Sequence, residues 1–387
     1  MTGQAGLFGA PCYLAHSDCM NWLPQLPANH FDWCVTDPTY EIGILGNDWD
    51  KTGIAHRPDV WREVLRVLKP GARLIAFAAG RRYHRMACAI EDAGFQIDDL
   101  YVWLKGGANT MKGGWCAPAI DKHLGREREV IGERTLSGTA ALSIQERGGT
   151  HSVGVDARGA KKVIPVTASA SDEAKHWEGW AWQTRGYHEP ICFARKPPEK
   201  SAVHSLVKYG CGALNVTACA VPRGPTTTSL PPNIALDAEA AADVSTQSGT
   251  TKCGANKAST SSDGAFHGGG KRVNWSVEQV NKGDFGTAER YFPKFNYVRK
   301  ANKTEKVLDD GTLAPKSLAS IKPDPLMRWL VQLVGRPGHR GLDIFAGSGS
   351  TLVAASALGI ESYGIELHPD HYAFAMRRSG AETWGIE

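Results

Sequence analysis

Gly341-Leu342-Asp343-Ile344-Phe345-Ala346-Gly347-Ser348-Gly349-Ser350-Thr351, continued by Glu361-Ser362-Tyr363-Gly364-Ile365-Glu366, is the stretch whose reading decides the fold. Its first five residues spell a short apolar strand, Gly347 and Gly349 make a turn, and a helix runs from Ser350 through Leu358 until Gly359 stops it. The second strand then closes on Glu366. A βαβ unit of this kind requires a parallel pair of strands. Glycines in the turn let the backbone approach a ligand, and the helix N-terminus favours a carboxylate. The acid at the end of the second strand, 17 positions after Gly349, can accept both hydroxyls of a ribose. These features describe a pocket for a nucleoside cofactor. Asp343 narrows the choice, because a carboxylate just before the glycines would repel a pyrophosphate but can pair with the ammonium of an amino acid. S-adenosylmethionine is favoured over a nicotinamide dinucleotide.

Working outward, the other informative stretch lies near the opposite end of the chain. Phe31-Asp32-Trp33-Cys34-Val35 has the aromatic and β-branched bias of a buried parallel strand, and Asp37-Pro38-Thr39-Tyr40 follows it directly. Asp37 falls at the carboxyl end of that strand, where open α/β sheets place their ligands. Pro38 fixes its own φ, so its carbonyl can stand in a constant direction beside the Asp37 carboxylate. Two acceptors at one point, with the Tyr40 ring close by, suit a planar heterocycle that carries an exocyclic amine. A plain strand-to-loop turn with a capping Asp is the rival reading of the same four residues.

Between these two stretches strands and helices alternate. Residues 12–26 read as a short strand and a short helix, with Asp18 at the strand's end; the Pro11-Cys12 pair ahead of it reads as structural rather than as a thiolate nucleophile. Glu41 to Asp50 is a glycine-containing loop able to fold over a ligand. A helix over Val60–Leu68, a strand over Ala72–Gly80, a helix over Arg82–Asp92 and a strand over Phe95–Lys105 follow, so the sheet is mainly parallel. From 106 to about 175 the pattern dissolves into Gly, Ser, Thr and charge, apart from an amphipathic piece around Ala119–Val130, and reads as an insertion. Trp177, Trp180 and Trp182 read as a partly buried sheet edge rather than a base-stacking strip, and His188–Lys196 as a strand. Residues 199–317 are the least regular. Basic clusters there, Lys271-Arg272 and Arg299-Lys300-Ala301-Asn302-Lys303, interleave with Phe292, Phe295 and Tyr297, as a phosphate-tracking groove with stacking rings requires.

The chain of 387 residues can bury a large core, and its 42% hydrophobic and 22% charged content is that of a soluble protein. With 44 Lys and Arg against 40 Asp and Glu, a polyanionic partner is permitted but not demanded. No apolar run has the length of a membrane span, and Met1–Ala5 lacks a secretory pattern, so a cytoplasmic protein is expected. Nine cysteines without a Cys-x2-Cys pair read as reduced thiols, with no metal site.

Taken together, Asp37-Pro38-Thr39-Tyr40, the Asp343-x-Phe345-x-Gly347-x-Gly349 turn, Lys322-Pro323 and Glu366 resemble the DNA amino-methyltransferases of the permuted β class. In that class the catalytic motif precedes the target-recognition region and the cofactor motif comes last. Val67-Leu68-Lys69-Pro70-Gly71, Trp177-Glu178-Gly179-Trp180, His188-Glu189-Pro190 and Gly212-Ala213-Leu214-Asn215 are similar to phage and prophage members. The resemblance implies a doubly wound, mainly parallel, seven-stranded Rossmann-like methyltransferase sheet, circularly permuted, with an irregular target-recognition region. It divides the chain into an N-terminal catalytic part (1–198), a recognition region (199–317) and a cofactor part (318–387). It also implies that Asp18 contacts the adenine of S-adenosylmethionine, Glu366 its ribose, and Asp343 with Phe345, Gly347, Gly349 and Ser350 its methionine part, with Lys322 bordering that end. Asp37, Pro38 and Tyr40 would hold the amine of a base flipped out of double-stranded DNA. Asp at position 37 points to adenine N6, since cytosine-N4 members more often carry Ser there. A cytosine-N4 enzyme stays as an alternative, and Thr39, standing where the family has a second proline, keeps a catalytically weak DNA-binding relative as another. The oligomeric state, a homodimer included, is left open.

Overall fold

The computed structural model describes residues 9–43, 48–105, 114–137, 161–184, 188–222, 228–253, 284–295, 308, 311–315, 317–318 and 321–385. The chain divides into two compact units, one formed by Met1–Gly106 with His188–Glu387 and the other by Gly107–Tyr187.

The first unit opens with β1 (Cys12–His16), α1 (Cys19–Trp22), β2 (Phe31–Thr36), α2 (Pro58–Val67), β3 (Leu68–Phe77), α3 (Tyr83–Asp92) and β4 (Gln96–Leu104). The second contains α4 (Cys116–His123), β5 (Val130–Ser137), β6 (Lys161–Thr167) and α5 (Asp172–His176). The first resumes with β7 (His188–Arg195), α6 (Ala202–Tyr209), the paired β8 (Val221–Pro222) and β9 (Thr228–Ser229), β10 (Ile234–Asp237) and α7 (Ala238–Ser248). It continues through the paired β11 (Thr251–Cys253) and β12 (Asp284–Gly286), then β13 (Lys294–Phe295), α8 (Asp324–Val334) and β14 (Arg340–Asp343). Last come α9 (Ser350–Ala357), β15 (Glu361–Glu366), α10 (Pro369–Ser379) and β16 (Glu382–Thr383).

Ten strands form one sheet in the order β13-β10-β4-β7-β3-β2-β14-β15-β1-β16. Every pairing is parallel except those of β7 with β3 and β4. The expected seven strands are the central run from β4 to β1; the short β13, β10 and β16 extend it at both edges, which the resemblance did not foresee. Its permuted order has a plain physical form here. The chain's first strand, β1, lies beside β15 near its end, in register from Cys12 opposite Ser362 to His16 opposite Glu366.

Alternation along the central strands builds a core on each face. Leu74 and Ala76 of β3 pack with α2 and α3 residues such as Trp61, Val64 and Ile90, while Ile75 and Phe77 join Trp33, Val35 and the apolar stripe of α8, including Leu326, Leu330 and Leu333. Helices on both faces make the sheet doubly wound. Close packing also explains Gly341, where an added Cβ would meet the Trp33 ring of the adjoining strand at 2.1 Å. Cys12 is buried, which pushes its thiol above its ordinary pKa, as a structural rather than a nucleophilic cysteine requires.

The stretch expected to be irregular, about 106 to 175, holds an ordered nucleus. β5 and β6 pair antiparallel, and the buried Asp121 of α4 accepts hydrogen bonds from Ala170 N at 3.0 Å and from Ser171 N at 2.9 Å. Trp177, Trp180 and Trp182 are not a buried sheet edge. All three are exposed, and Gly179 at φ +77° breaks the extended backbone on which that alternation would have depended. Lys271-Arg272, the cluster at 299–303 and Tyr297 lie outside the described residues. Among the described residues no helix is long and apolar enough to cross a membrane.

Candidate active site

Strands β1, β15, β14, β2 and β3 lie side by side and parallel, so their carboxyl ends form one continuous rim. Along that rim stand Asp18 just beyond β1, Glu366 at the end of β15, Asp343 at the end of β14 and Asp37 just beyond β2. Three strand intervals of about 4.8 Å put the first and last of these about 14 Å apart.

On the β14–β15 side the backbone organises the acids. Gly347 (φ +54°) and Gly349 (φ +75°) take left-handed conformations that a side chain would strain, and Gly349 caps α9. The turn curls so that Gly347 N donates to Glu366 Oε2 at 2.7 Å, while His368 N donates to Glu366 Oε1 at 2.7 Å. Burial pushes Glu366 up to about 7 despite these bonds. Asp343, 2% exposed, accepts from Thr36 Oγ1 at 2.7 Å and from Phe345 N at 3.0 Å, and burial pushes it up to about 6. Asp18 accepts from Met20 N at 2.7 Å as the cap of α1, and neighbouring Ser17 N donates to Glu366 O at 3.0 Å. Ser350 Oγ receives Arg378 Nη1 at 2.8 Å, and Arg378 Nη2 reaches Asp324 Oδ1 at 3.1 Å, so that guanidinium braces the turn from behind.

On the β2 side, side chains of four different elements meet. The Lys322 ammonium, whose residue is 4% exposed, ion-pairs with Asp37 Oδ2 and donates to Tyr40 Oη at 3.0 Å. Tyr40 Oη in turn donates to Glu189 Oε2 at 3.1 Å, and Glu189 Oε1 is held by the Lys105 ammonium. Two carboxylates and two ammoniums thus balance within one part-buried network. Burial opposes ionisation of Glu189, but Lys322 and Lys105 outweigh it and hold its carboxyl below the usual range. Burial works against the charge on Lys322 too, and Asp37 and Glu189 overcome it. Asp37 itself is raised by burial, with Lys322 countering in part. Asp37 Oδ1 is a buried acceptor with no hydrogen-bond partner among the described residues. Tyr40 N and Glu41 N donate to Asp50 Oδ1 at 2.6 and 2.9 Å, and Thr39 Oγ1 donates to Glu41 Oε1 at 2.5 Å, so the loop after Pro38 is tied down.

Besides the pairing of β2 with β14, side-chain hydrogen bonds join the halves, among them Thr36 Oγ1 to Asp343 and Thr351 Oγ1 to Val35 O at 3.4 Å. Asp37, Tyr40, Asp343, Gly347, Gly349, Ser350, Glu366 and Asp18 therefore share the rim. Lys322, expected at the methionine end, turns its ammonium to Asp37, while its carbonyl accepts from Ser350 Oγ at 3.4 Å. Sequence reasoning assigned no role to Glu189, Lys105, Asp50 or Arg378. The only signal was that His188-Glu189-Pro190 resembled a family segment.

A family model for DNA methylases matches residues 31–377. Among curated proteins YubD of Escherichia coli (strain K12), a methylase by designation, is 30% identical over 93 residues, 23% of this chain. The match spans 40% of the length of YubD. Among solved structures the M1.HpyAVI–SAM complex is 12% identical with a TM-score of 0.41, covering 95% of this chain and 98% of that one. The PvuII DNA methyltransferase, specific for cytosine N4, is 11% identical with a TM-score of 0.44, covering 98% and 90%.

Proposed function

Because the chain belongs to the DNA methylase family, we propose that it transfers a methyl group from S-adenosylmethionine to the exocyclic N6 amine of an adenine flipped out of double-stranded DNA at a specific sequence. The observation that carries this reading is the Thr36–Asp343 hydrogen bond, which joins positions 307 residues apart and puts both motifs on one rim.

The residues present suit the cofactor. Glu366 spends one lone pair of each oxygen on backbone donors, which leaves acceptors for two ribose hydroxyls. Asp343 can pair with the amino-acid ammonium, the left-handed glycine turn admits the methionine part, and Asp18 at the far end serves the adenine. When bound, S-adenosylmethionine would supply the electrophilic methyl group. The chain's own residues do the rest. The Asp37 carboxylate and the Pro38 carbonyl accept hydrogen bonds from the two N–H groups of the target amine, which keeps the nitrogen lone pair out of ring conjugation; as the new N–C bond forms and the S–C bond breaks, one of those protons leaves the nitrogen on the Asp37 side and the other stays. Tyr40, held through its hydroxyl, offers the ring on which the base stacks. Positioning of this kind needs neither a covalent nucleophile nor a metal. Asp37, where a serine would suit cytosine N4, supports adenine.

Digestion of treated DNA to nucleosides, with the masses measured, tests the reading: N6-methyladenine is expected, and N4-methylcytosine alone would replace adenine with cytosine as the target. An Asp37→Ala variant is expected to lose at least about a thousandfold in transfer while binding cofactor as before, the scale of removing a group that orients the reacting atoms. Undiminished transfer by that variant would move the catalytic site elsewhere.

A further inference from the structure

The rim does not end at Asp37. Its next strand, β3, leads into Gly80-Arg81-Arg82-Tyr83-His84-Arg85, and here a cavity of about 680 Å³ opens beside the loop that carries Tyr40. Lys51, His56, Arg81 and Arg82 line it together with Glu41 and Gly53. Arg82 is anchored, because its Nε donates to the Glu41 carbonyl at 3.1 Å. The acids nearby are engaged. Glu41 receives Thr39 Oγ1, Gly53 N at 2.7 Å and Thr52 Oγ1 at 3.3 Å; Asp50 receives backbone N–H groups; and Asp59 is bound by Arg57. Three cationic side chains of the lining, Lys51, Arg81 and Arg82, stand against the single carboxylate of Glu41. Burial holds the pKa of His56 below its ordinary value, with Glu41 opposing and Arg82, Arg85 and His84 adding smaller contributions.

We propose that this basic cavity binds backbone phosphate of the DNA strand from which the target base is extruded, an inference that rests on the function proposed above. Four acids along β1 to β2 mark where a cofactor and an amine meet, and the cavity lies one strand further, on the side away from the cofactor. A base stacked on Tyr40 remains tied to its own phosphates, and these must leave the corner in a direction the cofactor does not fill. Arg81 and the anchored Arg82 at that exit hold the strand once the base has flipped, offsetting part of the cost of unstacking. Arginine suits the task because its planar fork meets phosphate oxygens in pairs.

The experiment is a salt titration of DNA binding, followed by fluorescence anisotropy on a labelled duplex, with wild type and with the Arg81→Gln/Arg82→Gln pair. Each phosphate that is no longer neutralised should flatten the slope of log K against log salt by about 0.9. The pair should lower the slope by one to two such steps and weaken binding at fixed salt by about tenfold or more, with S-adenosylmethionine affinity unchanged as the control for folding. Arg81→Lys/Arg82→Lys should recover the slope but only part of the affinity. An unaltered slope in the glutamine pair, with wild-type binding intact, would overturn the phosphate site and leave the methyltransferase reading standing. A wild-type protein that neither binds DNA nor methylates it would overturn the function itself. Inorganic phosphate provides a second arm. Competition only at concentrations that screen all charge supports a site for the polymer, whereas saturable competition that leaves the glutamine pair's DNA binding equal to wild type assigns the cavity to a free anion and overturns the proposal.

Discussion

The two sides of the rim hold their acids by different means. On the β14–β15 side Glu366 and Asp343 are fixed mainly by backbone N–H groups and threonine hydroxyls, and burial lifts them to about 7 and about 6. On the β2 side Asp37 and Glu189 are fixed by ammoniums and a phenol, and the charges balance. The contrast matches what each side would receive under the proposed function. A site built from backbone geometry presents a constant shape and tolerates a costly buried acid, because a bound ligand's hydroxyls and ammonium supply the missing partners. A site built from long side chains can change partners, as a base that enters only after flipping requires. Variants on either side should therefore fail in different ways.

The largest divergence, after the loss expected for Asp37→Ala, is expected at Glu366. Glu366→Ala should weaken S-adenosylmethionine binding by about 100-fold, since charged hydrogen bonds are worth about 1.5–3 kcal/mol each. Duplex affinity should stay as it was, and calorimetry with each ligand separates the two. Equal weakening of both would erase the division between the sides. Next comes Glu189→Gln, which keeps the shape but removes one of the network's two negative charges. Turnover should fall about 10- to 30-fold through misplacement of Tyr40 and Lys322, with cofactor affinity unmoved. Glu189 acts through its neighbours as a positioning residue, so a change confined to cofactor binding would contradict its place on the β2 side.

How much of this was legible beforehand follows from what each feature depends on. The rim was legible, because side chains at the carboxyl ends of neighbouring parallel strands converge wherever the sheet forms, and Asp37, Asp343 and Glu366 each end an apolar run. Glu189 and Lys105 were not. They meet only because β7 inserts antiparallel between β3 and β4, opposing Glu189 with Trp103 and so bringing Lys105, two residues further along the same face, within reach of it. Nothing local to either residue announces that pairing. Trp177–Trp182 misled for the opposite reason: a local alternation suggested a strand that Gly179 interrupts. The β5–β6 pair was missed because each strand finds its partner across a long, polar interval.

A smaller effect is carried by pH. With its ordinary value of 4.5 raised to about 7, Glu366 binds a proton in the folded chain that it has lost in the unfolded one. Its contribution to stability is present below about 4.5 and fades as pH rises through about 7, so wild type should lose melting temperature relative to Glu366→Gln across that interval. Cofactor binding reverses the trend. Hydroxyl donors need the ionised acid, so affinity should drop as pH falls below about 7, by at most about tenfold per pH unit for one proton. His371 lies 3.7 Å from Glu366 and is pushed down to about 4 by burial, so it is neutral in the folded chain in this window and leaves cofactor binding to the acids, while its own contribution to stability rises with pH up to about 6.5 and opposes that of Glu366; Asp343 at about 6 adds a second step in the direction of Glu366. Proton release on cofactor binding, read from calorimetry in buffers of different ionisation enthalpy, checks the sign. The β2 side, with its charges already balanced, should bind duplex DNA with little proton exchange.

The smallest effect belongs to Thr39, the one departure from the family's motif. The structure gives the residue an occupation: its hydroxyl holds Glu41, which sits at φ +54° and accepts Gly53 N, so the turn a second proline would stiffen is closed by a hydrogen bond instead. Thr39→Val keeps the shape and removes that bond, worth about 1.5–3 kcal/mol when the acceptor is charged. Little of this should reach turnover, because Asp50 independently fixes the backbone N–H groups of Tyr40, Glu41 and Ile42. A fall of about threefold in turnover with unchanged cofactor affinity is expected, measured by labelled methyl incorporation at saturating cofactor, since only a fraction of that bond's energy is lost at the transition state. A collapse comparable to Asp37→Ala would mean that the hydroxyl touches the reacting amine. No change at all would mean that the loop's shape is set by Asp50 alone, and that the second proline is dispensable in this chain for a reason unconnected with the threonine that replaced it.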